Sequence, residues 1–290
     1  MRREDFLVTG AKGMLGMAVV DYLRQRGETV TGTDLPEADL TDSRAARELV
    51  RRLRPTRVIH CAAYTQVDQA ESDIEVCRRV NALMPRHVGA ACAETGASML
   101  LVSTDFVFDG RAREPYPVDA APAPAGAYAQ TKYEGEMALA EVLPRHQIAR
   151  TAWLFGPGKR NFVFAMYERL RQGMRLRVVA DQTGCPTYTL DLARCLVALS
   201  TKEEFGVFHT VNTGHTTWCA LTRKIAEFAG LDPNTVEAIR TEDYPTPARR
   251  PAYSVLDCSR TWALGIEPMR AWEEALKEYV QLLLREGSAG

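Results

Sequence analysis

Tyr128 and Lys132 stand four residues apart at the start of a stretch with helical patterning. That spacing sets a phenol and an ammonium on one helical face, one turn apart. An ammonium beside a phenol favours the phenolate, so the Tyr pKa is expected to move toward neutrality. A phenol of that kind exchanges a proton with a carbonyl or carbinol oxygen during hydride transfer. On its own the pair also fits a solvated helix surface, and it is position that argues for chemistry. The apolar run Ser98 to Val102 ends in Ser103-Thr104-Asp105, and in an open parallel sheet the carboxyl ends of the strands face the ligand crevice. The helix after the next long loop begins at Tyr128, so both groups reach one crevice. There Ser103 or Thr104 would hydrogen-bond the substrate oxygen. Strand-end capping is the plain alternative for the same hydroxyls.

A second constellation opens the chain. Phe6-Leu7-Val8 runs into Thr9-Gly10-Ala11-Lys12-Gly13-Met14-Leu15-Gly16, three glycines at equal intervals between a strand-like run and a helical pattern. Gly10 permits the tight turn, Gly13 lets backbone N–H groups approach a pyrophosphate, and Gly16 lets the helix pack close to the sheet. The helix start at Met14 and Leu15 adds partial positive charge. Asp34, at the end of the second strand-like run, lies where a carboxylate accepts hydrogen bonds from the adenosine ribose. Its charge would repel a 2′-phosphate, so it favours NAD over NADP, whereas Lys12 could pair with such a phosphate. Asp39-Leu40 is placed to meet the adenine edge, unless Asp39 merely flanks the next helix.

The elements that must hold these groups alternate. Leu15, Val19, Tyr22 and Leu23 share one helical face, and Gly27 ends that helix. Glu28 to Thr33 and Arg57 to His60 read as strands. Ala45 to Leu53 between them reads as a helix, N-capped within Thr41-Asp42-Ser43 and closed by Pro55. Ile74 to Thr95 is helical, with Pro85 expected to kink or split it. Ser98 to Val102 is a strand, Tyr128 to Leu143 a helix, and Gln147 to Trp153 a strand. Asp119 to Gly126 is expected to be an exposed loop. Further helices fall near Phe162 to Arg171, Leu190 to Leu199, Leu221 to Phe228 and Trp272 to Leu284, with a frayed tail from Glu286. Strands alternating with helices imply a fold class of α/β type, a Rossmann-type doubly wound parallel sheet.

Composition narrows the function classes. The 290 residues carry 36 Lys plus Arg against 37 Asp plus Glu, a net charge of -1. That balance argues against binding nucleic acid or an anionic membrane by bulk charge. The seven cysteines are odd in number and contain no CxxC, so neither a disulfide framework nor a zinc ribbon is expected, and the thiols read as buried apolar groups. No run reaches the length of a membrane span, and the first apolar run is too short for a signal peptide. A cytoplasmic protein is the expectation.

Longer wording now carries a resemblance. His60-Cys61-Ala62-Ala63-Tyr64-Thr65-Gln66-Val67-Asp68, with Ala70-Glu71 and Val80-Asn81, resembles an NAAAYTxVDxAE segment. Ser103 to Gly110 resembles STDYVFDG, Arg150 to Gly156 resembles RTSWVYG, Val179 to Thr187 resembles VxDQxGxPT, and Arg250 to Asp257 resembles RPxxSxLD. Together with Tyr-x-x-x-Lys, the set is similar to the dTDP-4-dehydrorhamnose reductase family of extended short-chain dehydrogenases/reductases. The match runs from residue 6 to about 257.

The resemblance implies reduction of the C4 ketone of dTDP-4-dehydro-L-rhamnose to dTDP-L-rhamnose with NADPH or NADH. It implies that Tyr128 protonates the oxyanion, that Lys132 tunes Tyr128 and holds the nicotinamide ribose, and that Thr104 binds the substrate oxygen with Ser103 second. Ala62, Ala63 and Tyr64 would line the cofactor channel. Asp105 and Phe106 would meet the substrate. Trp153 and Asn161 would face the sugar and the start of the nucleotide, and Gln182, Thr187 and Arg250 would complete the dTDP pocket. Residues 1–155 would be the cofactor domain, with returning elements around 176–200. Residues 156–290 would mainly form a smaller, mixed substrate-binding domain, interleaved with the first. A monomer or a homodimer is expected.

Departures qualify this. Phe106 removes the second acid of the Asp-Glu pair that related dehydratases use, so a plain reductase fits better, while an epimerase stays open. His60-Cys61 replaces Asn-Ala, and Ala129 stands where a Gly is usual. Some family members bind Mg²⁺ at a dimer contact. No acidic cluster here carries that over, so no required metal is expected. Two other readings remain: a reductase or epimerase of another nucleotide sugar, and a non-catalytic regulatory subunit, since the methionine adenosyltransferase β subunit resembles the same reductases.

Overall fold

The computed structural model describes residues 5–287. Its centre is a sheet of six parallel strands: β1 (Asp5–Thr9), β2 (Thr29–Thr33), β3 (Arg57–His60), β4 (Ser98–Thr104), β5 (His146–Thr151) and β6 (Gly206–His209). The spatial order is β2-β1-β3-β4-β5-β6. The order reverses between β1 and β3, which makes their carboxyl ends the switch point where such sheets bind ligands. β1, β3 and β4 are buried almost throughout, as strands covered on both faces must be, whereas edge strand β2 is mostly exposed.

The helices divide by face. α1 (Met14–Gln25) packs with α7 (Thr189–Ser200) on one face through Val19, Leu23, Leu192 and Leu196. α2 (Ser43–Leu53), α4 (Met84–Thr95) and α5 (Ala127–Val142) cover the other through Leu49, Val50, Val88 and Leu139. Asp42 caps α2 by accepting the Arg44 N–H, the side chain expected from the Thr-Asp-Ser triplet. The Ile74–Thr95 stretch does split at Pro85. α3 (Ile74–Arg78) widens into a π turn over Arg79–Leu83 before α4 starts. Pro85 has no N–H for the carbonyl of Asn81, and the wider turn accommodates that loss. Gly135 of α5 packs so close to the Asn81 carbonyl that a Cβ there would strike it.

A separate core lies beyond the sheet. Met166, Leu170, Leu221, Ile225, Trp272 and Leu276 pack together from α6 (Phe162–Arg171), α8 (Trp218–Phe228) and a C-terminal helix, Trp272–Gly287, and Phe155 of the short strand Leu154–Phe155 joins them. That helix includes Glu286 and Gly287 of the stretch expected to fray. The rest of that stretch, 288–290, and the start at 1–4 lie outside the described residues. All seven cysteines are unpaired. No helix among the described residues is long and apolar enough to cross a membrane.

Candidate active site

The carboxyl ends of β1 to β5 open into one cleft of about 890 Å³. Its nucleotide end is the glycine turn. Gly10 holds φ +66°, and a Cβ there would meet the Ala62 backbone at 2.6 Å. A Cβ at Gly16 would strike the Gly10 carbonyl, so that glycine is what lets α1 start against β1. A Cβ at Gly13 would meet only the Gly10 carbonyl, at 3.1 Å, so this position looks onto open cleft. Gly13 is also the N-cap of α1. It offers no side-chain acceptor, and the first turn carries no acid. The orphan N–H groups of Met14, Leu15 and Gly16 therefore have no local anion and border the cleft. Uncapped amides with this partial charge fit a pyrophosphate.

Asp34 stands beside the turn. Its carboxylate accepts the Lys12 N–H at 3.0 Å and the Leu35 N–H at 2.9 Å, each oxygen keeping a free lone pair. Asp39 and Leu40 also line the cleft. The Asp39 carboxyl is held below its usual range by hydrogen bonds from Thr41. Lys12 is not in the lining. Its ammonium pairs with Glu37 at 2.6 Å. Ala62 and Ala63 line the channel as expected, but Tyr64 does not. Its hydroxyl donates to Asp73 and its backbone is clamped by Asn81.

Ser103, Thr104, Asp105, Phe106, Tyr128 and Lys132 gather at the other end. Glu71 positions Tyr128: its carboxylate accepts the Ala127 N–H at 2.9 Å and so caps α5. Phe106 meets the Tyr128 ring edge-on at 5.6 Å. The expectation of a lowered Tyr pKa is overturned. Burial raises the Tyr128 phenol above its ordinary value, the Asp105 charge adds to this, and a hydrogen bond with Thr104 eases it. Lys132 is not among the groups that shift it; its Nζ donates to the Val102 carbonyl at 2.7 Å. Burial lowers Lys132 itself to about 8, opposed by the charge of Glu136.

The two candidate hydroxyls part company. Adjacent strand residues point to opposite faces. Ser103 donates to the buried Glu136 at 2.5 Å, which Arg150 holds in turn. The Thr104 hydroxyl stays beside Asp105 and Tyr128. Asp105 is 2% exposed, and burial raises it to about 6.

The family model for the RmlD substrate binding domain matches residues 4–285. The chain belongs to the dTDP-4-dehydrorhamnose reductase family. It is 44% identical to the dTDP-4-dehydrorhamnose reductase of Streptomyces griseus, over 95% of this chain and 93% of that one. It is 40% identical to a probable dTDP-4,6-dihydroxy-2-methyloxan-3-one 4-ketoreductase of Streptomyces antibioticus, over 94% and 93%. Among solved structures, the dTDP-4-dehydrorhamnose reductase of Bacillus anthracis in complex with NADP superimposes with a TM-score of 0.92 at 35% identity, covering 96% and 98% of the two chains.

The substrate positions that the resemblance implies are only partly in the cleft. Trp153 and Asn161 line it. Trp153 adopts φ +48°, unusual for a bulky residue, and stacks on Trp218 at 3.5 Å. Asn161 caps α6 through Phe164 N–H, and its amide reaches the Gly156 carbonyl and the Tyr279 hydroxyl. Gln182 and Thr187 do not line it: Gln182 donates to Thr241, and Thr187 to the Cys185 carbonyl. Arg250 borders the cleft, yet its guanidinium forms a fork on Asp68 with two 2.8 Å bonds. Sequence reading missed Lys159, Arg160, Phe162 and Trp218, which all line the cleft. Lys159 and Arg160 have no ion-pair partner among the described residues. The signal was available, because both cations immediately precede the singled-out Asn161.

Proposed function

We propose that this chain reduces the C4 ketone of dTDP-4-dehydro-L-rhamnose to dTDP-L-rhamnose, with NADH or NADPH. The observation that carries the reading is the joint placement of Thr104, Tyr128 and Lys132 in one cleft with an uncapped glycine turn. A bound nicotinamide supplies the hydride to C4. The raised pKa of Tyr128 suits reduction, because the phenol stays protonated and gives its proton to the oxygen as the carbon–oxygen double bond becomes a single bond. Thr104 orients that oxygen. Lys132 is tethered to Val102 within the same cleft, where it steadies the Tyr128 end and holds the cofactor's ribose. Lys159 and Arg160, rather than the paired Arg250, meet the substrate diphosphate beside the start of α6. The sheet with its helices is the cofactor unit, and the core of α6, α8 and the C-terminal helix is the substrate unit. The protein works in the cytoplasm.

A second reading, a 4-ketoreductase of another dTDP-keto-sugar, is favoured by the name of the Streptomyces antibioticus relative. The test is loss of NADH or NADPH absorbance with a dTDP-4-keto-6-deoxy sugar made in situ, beside a panel of nucleotide sugars. Tyr128→Phe should bind dinucleotide as the parent does and lose at least about a hundredfold in turnover. Full activity in that variant would remove Tyr128 from the role. No turnover with any sugar, together with tight binding to another enzyme, would instead support a regulatory subunit.

A further inference from the structure

Lys12 is the sole cation of the glycine turn, and it does not stand free. Its Nζ donates to Glu37 at 2.6 Å and to the Leu35 carbonyl at 3.3 Å. Its N–H is held by Asp34, whose other oxygen takes the N–H of Leu35. Lys12, Asp34 and Glu37 thus form one unit at the rim of the cleft, where Asp34 and Leu35 belong to the lining. The nearby charges include a third carboxylate, Asp39, and a second cation, Arg79, whose charge acts on Asp39. Three carboxylates therefore face two cations before any ligand arrives.

The Bacillus anthracis relative carries NADP, so the shared scaffold does not itself exclude a 2′-phosphate. Discrimination must come from side chains. A 2′-phosphate near Asp34 would have to draw Lys12 away from Glu37, leaving that carboxylate unpaired beside a dianion. A free 2′-hydroxyl asks nothing of Lys12 and donates to Asp34.

We infer that Glu37 sets the choice between the two nicotinamide dinucleotides, by occupying the Lys12 ammonium and withholding it from a 2′-phosphate, so that the site selects NADH. This rests on the reading of the cleft as a nicotinamide dinucleotide site. Glu37 and Lys12 are both more than half exposed, so substitutions there leave the fold intact.

The experiment titrates the full chain with NADH, NADPH and 2′,5′-ADP by calorimetry, without substrate. The parent should bind NADH more tightly than NADPH. Glu37→Gln should improve NADPH relative to NADH by about two- to fivefold, the scale of one exposed ion pair. Glu37→Lys should improve it by roughly tenfold, since it also reverses a charge. Adding Lys12→Met to Glu37→Gln should abolish the gain. A ratio that stays unchanged in both Glu37 variants while NADH still binds would overturn the inference, and so would a parent that prefers NADPH. A parent that binds neither dinucleotide would overturn the site reading itself, a result distinct from an unchanged ratio.

Discussion

Glu136→Gln tests the support beneath the reacting groups. Tyr128, Lys132 and Glu136 follow one another at intervals of one turn along a single face of α5. Glu136 and Arg150 are 2% and 3% exposed and approach to 2.6 Å. Glu136 takes two guanidinium N–H bonds and the Ser103 hydroxyl, while Arg150 also lies over the Phe108 ring at 5.1 Å. The amide keeps the shape of the side chain and removes its charge. With charge centres about 4 Å apart and an effective dielectric of about 20, the lost attraction is about 4 kcal/mol. Breaking one side of a buried pair costs about 3–5 kcal/mol for the same reason. Out of a total stability of about 5–15 kcal/mol, the loss should lower Tm by roughly 6–15 °C. Urea unfolding followed by tryptophan fluorescence measures it. Glu136→Met combined with Arg150→Met should recover at least half, because the Arg150 guanidinium is not left buried without its carboxylate. The site should respond as well. Glu136 supports the Lys132 ammonium, so its removal should move the Lys132 limb of the pH–rate profile below about 8. A Glu136→Gln variant within about 1 kcal/mol of the parent, with an unmoved profile, would refute the reasoning.

The two adjacent hydroxyls should separate in kinetics. Thr104→Val should cost about a hundredfold in kcat/KM, the scale of one lost donor at a developing oxyanion. Ser103→Ala should stay within about threefold in kcat/KM and lose about 1–2 kcal/mol of stability, because Glu136 loses a donor; equal kinetic losses would return Ser103 to the substrate. Acid stability tests the buried imidazoles. Burial lowers His60 and His209 to about 3, while unfolded histidines titrate near 6.5. The unfolded chain therefore binds protons that the fold refuses, and stability falls as pH drops below about 6.5, by about 1.4 kcal/mol per unit per histidine. Asp105 acts oppositely. Raised to about 6, it binds a proton in the fold before the unfolded carboxyl does. Two histidines less one aspartate leave a net slope of about 1.4 kcal/mol per unit between roughly pH 6 and 4.5. His60→Asn can keep the bond to Thr9 and should nearly flatten that window in urea titrations. An unchanged slope would mean that His60 is protonated in the fold.

What was legible in the sequence was local. The glycine spacing, the strand ends and Tyr-x-x-x-Lys depend on residues within a turn or a pleat of one another, and the sheet then gathers them. Even the split at Pro85 follows from one missing N–H. The direction of the Tyr128 shift was not legible, because spacing reports a shared face but not burial. In the structure, desolvation dominates the Tyr128 shift, and Lys132 donates to Val102. The separation of Ser103 from Thr104, by contrast, follows from strand alternation alone.

The cations show the harder limit. A basic residue in a motif reads as a phosphate ligand until its counter-ion is known, and the counter-ion can lie anywhere in the chain. Arg250 is engaged by Asp68, 182 residues away, and Lys12 by Glu37, 25 residues away. Each pair weakens the anion-binding role that the sequence suggested and gives its residue another function. Asp68–Arg250 ties the loop after Thr246 to the segment that leads to Glu71, the cap of the Tyr128 helix. If Arg250 acts by holding that geometry, Arg250→Lys should impair turnover more than substrate affinity. Lysine keeps the charge but cannot form the two-pronged bond. A pure rise in KM would return Arg250 to the diphosphate and take Lys159 and Arg160 out of that role.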